Sequence, residues 1–334
     1  MLNDQNLVIV SQFLNDQNLG IVSQFLDGKS YNNLRLSYKH PSIMLEFTNN
    51  NDLLKILVKK WLNDENDVII KIGHISKWNV SYITNMSELF KDAKSFNDDI
   101  SNWNVTNVIN MNNMFSNAFV FNQSLNNWNV SNVINMNKMF YNAKSFNHPL
   151  DGWDVGNVED MEEMFSAAFK FNQNINNWNV SNVTNMCFMF SEALNFNKPI
   201  NDWDVSNVKD MSDMFCNALE FNKPLDKWDV SNVKDMASMF SLALKFNQSL
   251  NIWNVSNVVD MNRMFKNAFE FNQPLNEWNV SNVDHMEYMF KGASSFNRNI
   301  SNWDISDIKD DFMFKEAILM EEKHKPIIYH LFQK

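Results

Sequence analysis

The chain has 334 residues, of which 45% are apolar, and a formal net charge of −11. That acidic balance argues against general binding to nucleic acid or anionic membranes, and its Lys and Arg residues form no basic stripe. Only six Gly and six Pro are present, too few for a collagen-like chain, a Gly-rich linker or a phosphate-cradling loop.

In chain order, the first feature is a short duplication. Leu2 to Phe13 is repeated at Leu14 to Phe25 with one change, Val8 against Gly20. Residues 1–27 are read as a peripheral tail. Residues 28–77 are a lead-in in which Leu53, Leu54, Leu57, Val58 and Trp61 recur at helical spacing, so a capping helix is expected over Asn51 to Leu62. The start at Met1 lacks the basic opening and apolar core of a signal peptide, and no apolar run has the length of a membrane span. A soluble protein made in a cytosol is therefore expected.

A tandem repeat follows over residues 78–317. Tryptophans stand at 78, 103, 128, 153, 178, 203, 228, 253, 278 and 303, each 25 residues from the last. With each Trp as position 0, +1 is Asn or Asp, +2 Val or Ile, and +5 Val or Ile. Met stands at +8 and +11, Phe at +12, Ala at +15, Phe at +18, Asn at +19, and Leu or Ile at +22. Leu89 and the decayed tenth copy are the main departures. A fixed period of this size predicts a stack in which each unit buries its apolar side against its neighbours.

The spacing within a unit predicts local structure. Positions +8, +11, +12 and +15 follow i, i+3, i+4, i+7, the pattern of a two-turn helix. Asn or Asp at +7 occupies the N-cap place, and Asn85 with Glu88 and Asp160 with Glu163 resemble capping boxes. Trp at 0 and Val at +2 share one face of a strand, with +1 pointing the other way. The fold class read from this is an α/β repeat solenoid, a leucine-rich-repeat-like stack of short parallel strands and short helices. It has ten 25-residue units, a helical amino-terminal cap and a carboxy-terminal cap over 318–334. Ten strands at about 4.8 Å predict a parallel sheet on the order of 45 Å long.

The consensus Asn-x-x-Leu-x-x-Trp-Asn-Val-Ser-Asn-Val-x-Asn-Met-x-x-Met-Phe-x-x-Ala-x-x-Phe resembles the repeat of BspA-like surface proteins. The same repeat occurs in Mycoplasma-type lipoproteins and in giant DNA viruses. Bacterial members of that group are typically secreted or lipid-anchored, and some resemble adhesins. The resemblance covers 78–317 and implies a repeat scaffold. No signal peptide, lipobox or anchor of that pattern is read here, and the Asn-, Ile-, Lys- and Phe-rich composition fits an AT-rich genome; taken with these, the resemblance implies a giant-virus member of the host cytoplasm or a virion rather than a secreted protein.

No catalytic constellation breaks the repeat. The Ser track at +3 has no positioned base and tolerates Gly156, which fits turn hydrogen bonding better than nucleophilic catalysis. The six histidines are read as solvated, the Asn and Asp tracks as structural ladders rather than calcium sites, and Cys187 and Cys216 as free thiols. No enzyme activity, cofactor or metal site is expected. The expected role is protein–protein interaction, with a structural or adhesin-like surface protein as the alternative. Candidate partner-binding residues are Asn129, Asp154, Asn179, Asp204, Asp229 and Asn254 on an outward, concave +1 face, and exposed Phe188 and Tyr288 on the helix side. The partner's identity is not encoded in any of these features.

Overall fold

The computed structural model describes residues 51–305 and 312–326. The expectation for the duplicated tail falls outside these residues. Within them, each 25-residue unit closes one rung, and each rung lies on the next in parallel register. Equivalent residues pair from Asn85 with Asn110 through Asp260 with His285, always at +7.

The inside of every rung is filled by the residues that define the repeat. Trp, both Val positions, both Met, Ala, both Phe and the +22 aliphatic are buried from rung to rung. Within a rung the +12 and +18 rings stack at about the closest separation rings allow, as for Phe140 and Phe146 at 4.1 Å. Between rungs the +12 rings stack again, as for Phe140 and Phe165 at 5.6 Å. The result is a continuous aromatic column from Phe90 to Phe314.

The expected helix at +8 to +15 is not formed. Residues +10 and +14 have positive φ in successive rungs, for example Lys138 at 55° and Asn142 at 55°, and no α-helix tolerates that. The segment is a run of turns instead. Met139 N donates to Met136 O and Ala143 N to Phe140 O, at 3.1 and 3.0 Å. A turn closed this way with positive φ at its third residue carries the type II signature. The apolar pattern mimics a helix because each turn also returns its flanking residues to the same side.

Positive φ costs a non-Gly residue about 1–2 kcal/mol. What offsets it is a ladder of backbone bonds. Met136, Lys138, Phe140 and Asn142 donate their N–H groups to Asp160, Glu162, Met164 and Ser166 of the next rung at 2.7–3.1 Å. Such bonds contribute about 1 kcal/mol each, so four per rung balance two strained residues before any burial is counted. The capping boxes dissolve with the helix. Glu88 and Glu163 themselves sit at positive φ, and Asn85 and Asp160 accept from the N–H two residues on, at Ser87 and Glu162. These are Asx turns, not helix caps.

The expected strand at 0 to +2 is also absent. Burial alternates there as foreseen, with Trp128 and Val130 inside and Asn129 outside, but no backbone ladder joins neighbouring rungs at these positions. Among the described residues the parallel pairs between rungs are isolated bridges at +7, and they make no continuous 45 Å sheet. The leucine-rich-repeat-like strand–helix unit is therefore replaced by a coil of turns.

The caps make up what the end rungs lack. Helix α1, Asn51–Asn63, buries Leu54, Leu57, Val58 and Trp61 as expected. A second helix, α2, Glu65–Ile72, follows it and was not foreseen. In interior rungs the +6 N–H donates to the previous rung. The first rung has no predecessor, and Asn51 Oδ1 accepts from Thr84 N and Asn85 N at 3.1 Å instead. At the far end Phe290 N bonds Met313 O, one residue nearer than Phe265 N to Met289 O, which places the deletion in the decayed tenth copy. A turn at Glu322–His324 covers that rung, with His324 O accepting from Ile300 N.

Candidate interaction surface

Two walls of the stack expose side chains, and they are built differently. On the Trp wall, side chains do the cross-linking. From Trp103 on, each Trp donates Nε1 to the carbonyl three residues before the preceding Trp, as Trp153 does to Leu125 O at 2.8 Å. Each +4 Asn donates Nδ2 to the preceding +3 carbonyl, as Asn157 does to Ser131 O at 2.6 Å. Each +19 Asn accepts at Oδ1 from the next +19 N–H, as Asn147 does from Asn172 N at 2.9 Å. On the ladder wall, +6 to +14, the bonds that recur from rung to rung are backbone to backbone, and side-chain links such as Asn112 to Asn137 and Asn142 to Asn117 join only some rungs.

The +1 residues lie on the Trp wall. Asn129, Asp154, Asn179, Asp204, Asp229 and Asn254 are all exposed. Each also accepts at Oδ1 from the N–H two residues later: Ser131, Gly156, Ser181, Ser206, Ser231 and Ser256. Ser231, through its hydroxyl and its N–H, holds the Asp229 carboxyl below its ordinary range. One oxygen of each side chain is therefore engaged by its own turn.

Equivalent rings step by 5.4–5.8 Å at +12 and by 5.8–6.1 Å at +18, as in Phe90–Phe115, Phe165–Phe190, Phe96–Phe121 and Phe146–Phe171. The stacked Trp rings step by 6.1–6.4 Å, as in Trp278–Trp303 and Trp178–Trp203. Unequal steps mean that rungs are rotated as well as translated. The shorter step lies nearer the rotation axis, so the aromatic column lies nearer it than the Trp stack does.

Phe188 and Tyr288 stand on the ladder wall at +10, on left-handed turn residues with φ of 55° and 60°, not on a helix. Phe188 is 36% exposed. Tyr288 is half-buried because Phe312 stacks on it at 5.6 Å, with Arg263 and Lys291 over its ring. Lys315 in turn lies over Phe312. This aromatic and cationic cluster at the last rungs was not legible in the repeat, because the deletion shifts Phe312 into the +10 column.

The same wall carries a half-buried acidic column. Asp210, Asp235 and Asp260 occupy +7 in consecutive rungs and pair directly. Burial, with Asp210 and Asp260 alongside, pushes the Asp235 carboxyl up. Burial likewise pushes the Cys187 and Cys216 thiols up to about 12, so neither is a nucleophile near neutral pH. Both cysteines are free. His74, read as solvated, is half-buried and edge-on to Trp61 at 5.0 Å. No helix among the described residues is long and apolar enough to cross a membrane.

The geometry defines a tandem-repeat protein whose units are interchangeable in backbone and core. A family described as "Mycoplasma protein of unknown function, DUF285" matches residues 62–176, 149–252 and 220–325, and the chain belongs to that family. No curated protein matches it.

Proposed function

We propose that the chain is a non-enzymatic solenoid scaffold that binds a protein partner through the ladder wall. One observation carries this reading. Rung-to-rung bonding on that wall rests on a backbone ladder that recurs from rung to rung, with side-chain links such as Asn112–Asn137, Asn142–Asn117 and Cys187–Ser212 only at particular rungs, so its exposed side chains need not recur. They do differ: the +10 column reads Glu88, Asn113, Lys138, Glu163, Phe188, Asp213, Ser238, Arg263 and Tyr288. A rigid frame with a varied surface column suits recognition of an extended partner. Phe188 and the Tyr288–Phe312 pair are the aromatic anchors such an interface uses.

The test is capture on the immobilised full chain. Partners held by the parent are expected to be lost from the Phe188→Ala/Tyr288→Ala double variant. They are expected to be retained by Asp204→Lys/Asp229→Lys. The reverse result moves the interface to the +1 track. Equal retention by both variants, or no protein retained above background, overturns the binding reading.

A structural or adhesin-like role is the second reading, favoured by the uniformity of the Trp wall. The likeness of the consensus to BspA-like repeats and the giant-virus source suggested by composition belong with that reading. High copy number in purified particles, without a captured partner, would support it.

A further inference from the structure

We propose that Glu65, His74 and Asp98 bind one divalent transition-metal cation of the zinc type at the seam between the amino-terminal cap and the first rung. One ligand atom from each of the three lies within 4.8 Å of the others. They come from three separate segments: the first turn of α2, the residue that opens the turn Ile75–Lys77, and the loop after Phe96. Ligand atoms bound at about 2.0–2.2 Å to one ion stand roughly 3–4 Å apart.

Two of the three ligands are held by outer partners. Trp61 Nε1 donates to Asp98 Oδ2 at 2.7 Å, which orients the carboxylate and leaves Oδ1 for an ion. His74 Nδ1 lies 2.9 Å from Ser76 Oγ and accepts from Ser76 N at 3.2 Å, so Nε2 is the nitrogen left for an ion. A metal-bound imidazole carries its proton on the opposite nitrogen and gives it to an outer acceptor. Ser76 Oγ is placed to accept that proton, at the expense of the bond from Ser76 N.

Asp98 is the only acid in a variable column that over the nine full units also holds His148, Lys198, Lys223, Arg298 and four Gln. It stands at +20, where Gln123, Gln173, Gln248 and Gln273 reach back to the previous rung's +19 carbonyl. The first rung has no previous rung, and an acid occupies the place. One imidazole with two carboxylates suits zinc, manganese or cobalt better than calcium or magnesium, which take all-oxygen sets. Water completes the coordination. The bound ion ties α2 to the first rung, so it stabilises the cap where the stack would otherwise fray.

The test uses the full chain stripped with EDTA and titrated with zinc by calorimetry, with cobalt absorption as a second readout of coordination. The parent is expected to bind one zinc ion, to melt at higher temperature with it, and to develop a cobalt band. Asp98→Asn and His74→Ala are expected to weaken binding at least tenfold, the scale of a lost ligand or its support. Glu65→Gln, at an exposed position that leaves folding intact, is expected to weaken zinc binding and to change the cobalt band. His285→Ala is expected to leave both unchanged. Absence of stoichiometric zinc binding by the parent, or unchanged affinity in Glu65→Gln and His74→Ala together, overturns the site.

Discussion

The ladder wall and the Trp wall solve one problem, joining a rung to the next, by opposite means. On the ladder wall the backbone makes the recurring bonds, so the side chains at +9, +10 and +13 vary and link rungs only here and there, as Asn112 does to Asn137 and Lys138 to Glu163. On the Trp wall side chains make them, so Trp at 0, Asn at +4 and Asn at +19 recur in nearly every copy. The repeat consensus is thus a map of where the chain bonds through side chains. Its variable columns mark where it bonds through the backbone.

The sharpest way to break the comparison is to remove a side chain from the Trp wall. Trp178 is buried, stacks on Trp153 and Trp203, and donates to Leu150 O at 3.0 Å. Trp178→Ala is expected to cost about 3–5 kcal/mol, read as a large fall in denaturation midpoint. A loss under about 1 kcal/mol would remove Trp from the core of this account.

On the ladder wall the sensitivity is to backbone conformation rather than to side-chain identity. Ser238 sits at φ 54°. Ser238→Val is expected to cost about 1–2 kcal/mol, because a β-branched residue resists the left-handed region. Ser238→Gly is expected to be neutral or stabilising by up to about 1 kcal/mol. In a helix the glycine would instead be destabilising by about 1 kcal/mol, so the sign of one thermal shift separates the two structures.

A smaller contrast uses single hydrogen bonds. Asn207 donates Nδ2 to Ser181 O at 2.7 Å on the Trp wall, while Lys209 is an exposed +6 residue joined to its neighbours through its backbone. Asn207→Ala is expected to lose about 0.5–1.5 kcal/mol and Lys209→Ala to stay within about 0.5 kcal/mol. Equal losses would erase the distinction between the walls.

The smallest effect concerns the acidic column. Asp235 Oδ1 accepts from Ala237 N, a bond Asn can also accept, as Asn185 does from Cys187 N. The folded state raises the Asp235 carboxyl through burial and its Asp neighbours, so it favours the protonated form. Stability is therefore highest below the ordinary carboxylate range and falls as pH rises through the raised value. Asp235→Asn is expected to gain about 0.2–1 kcal/mol at neutral pH by removing like charges from adjacent rungs. The gain should vanish in acid, and a gain that persists there would exclude the electrostatic cause.

The period, the stacking, the buried set and the amino-terminal helix were all determined by the sequence alone. Ten tryptophans at a fixed interval with an apolar set beside them have no other economical packing. The left-handed residues left a fainter trace: +10 and +14 carry no Val, Ile, Thr or Pro, and +14 is rich in Asn and Gly at Asn117, Asn142, Asn217, Asn267 and Gly292. What the sequence did not decide was the form of the rung. An i, i+3, i+4, i+7 pattern reports only that four side chains point inward, and both a helix and a run of type II turns satisfy it. The tertiary structure chose the turns because only that backbone aims alternate N–H groups at the next rung, whereas a helix would consume those groups within itself. The same holds for the pairing of Tyr288 with Phe312 and for the meeting of Glu65, His74 and Asp98, since both depend on where separate rungs and caps come to rest.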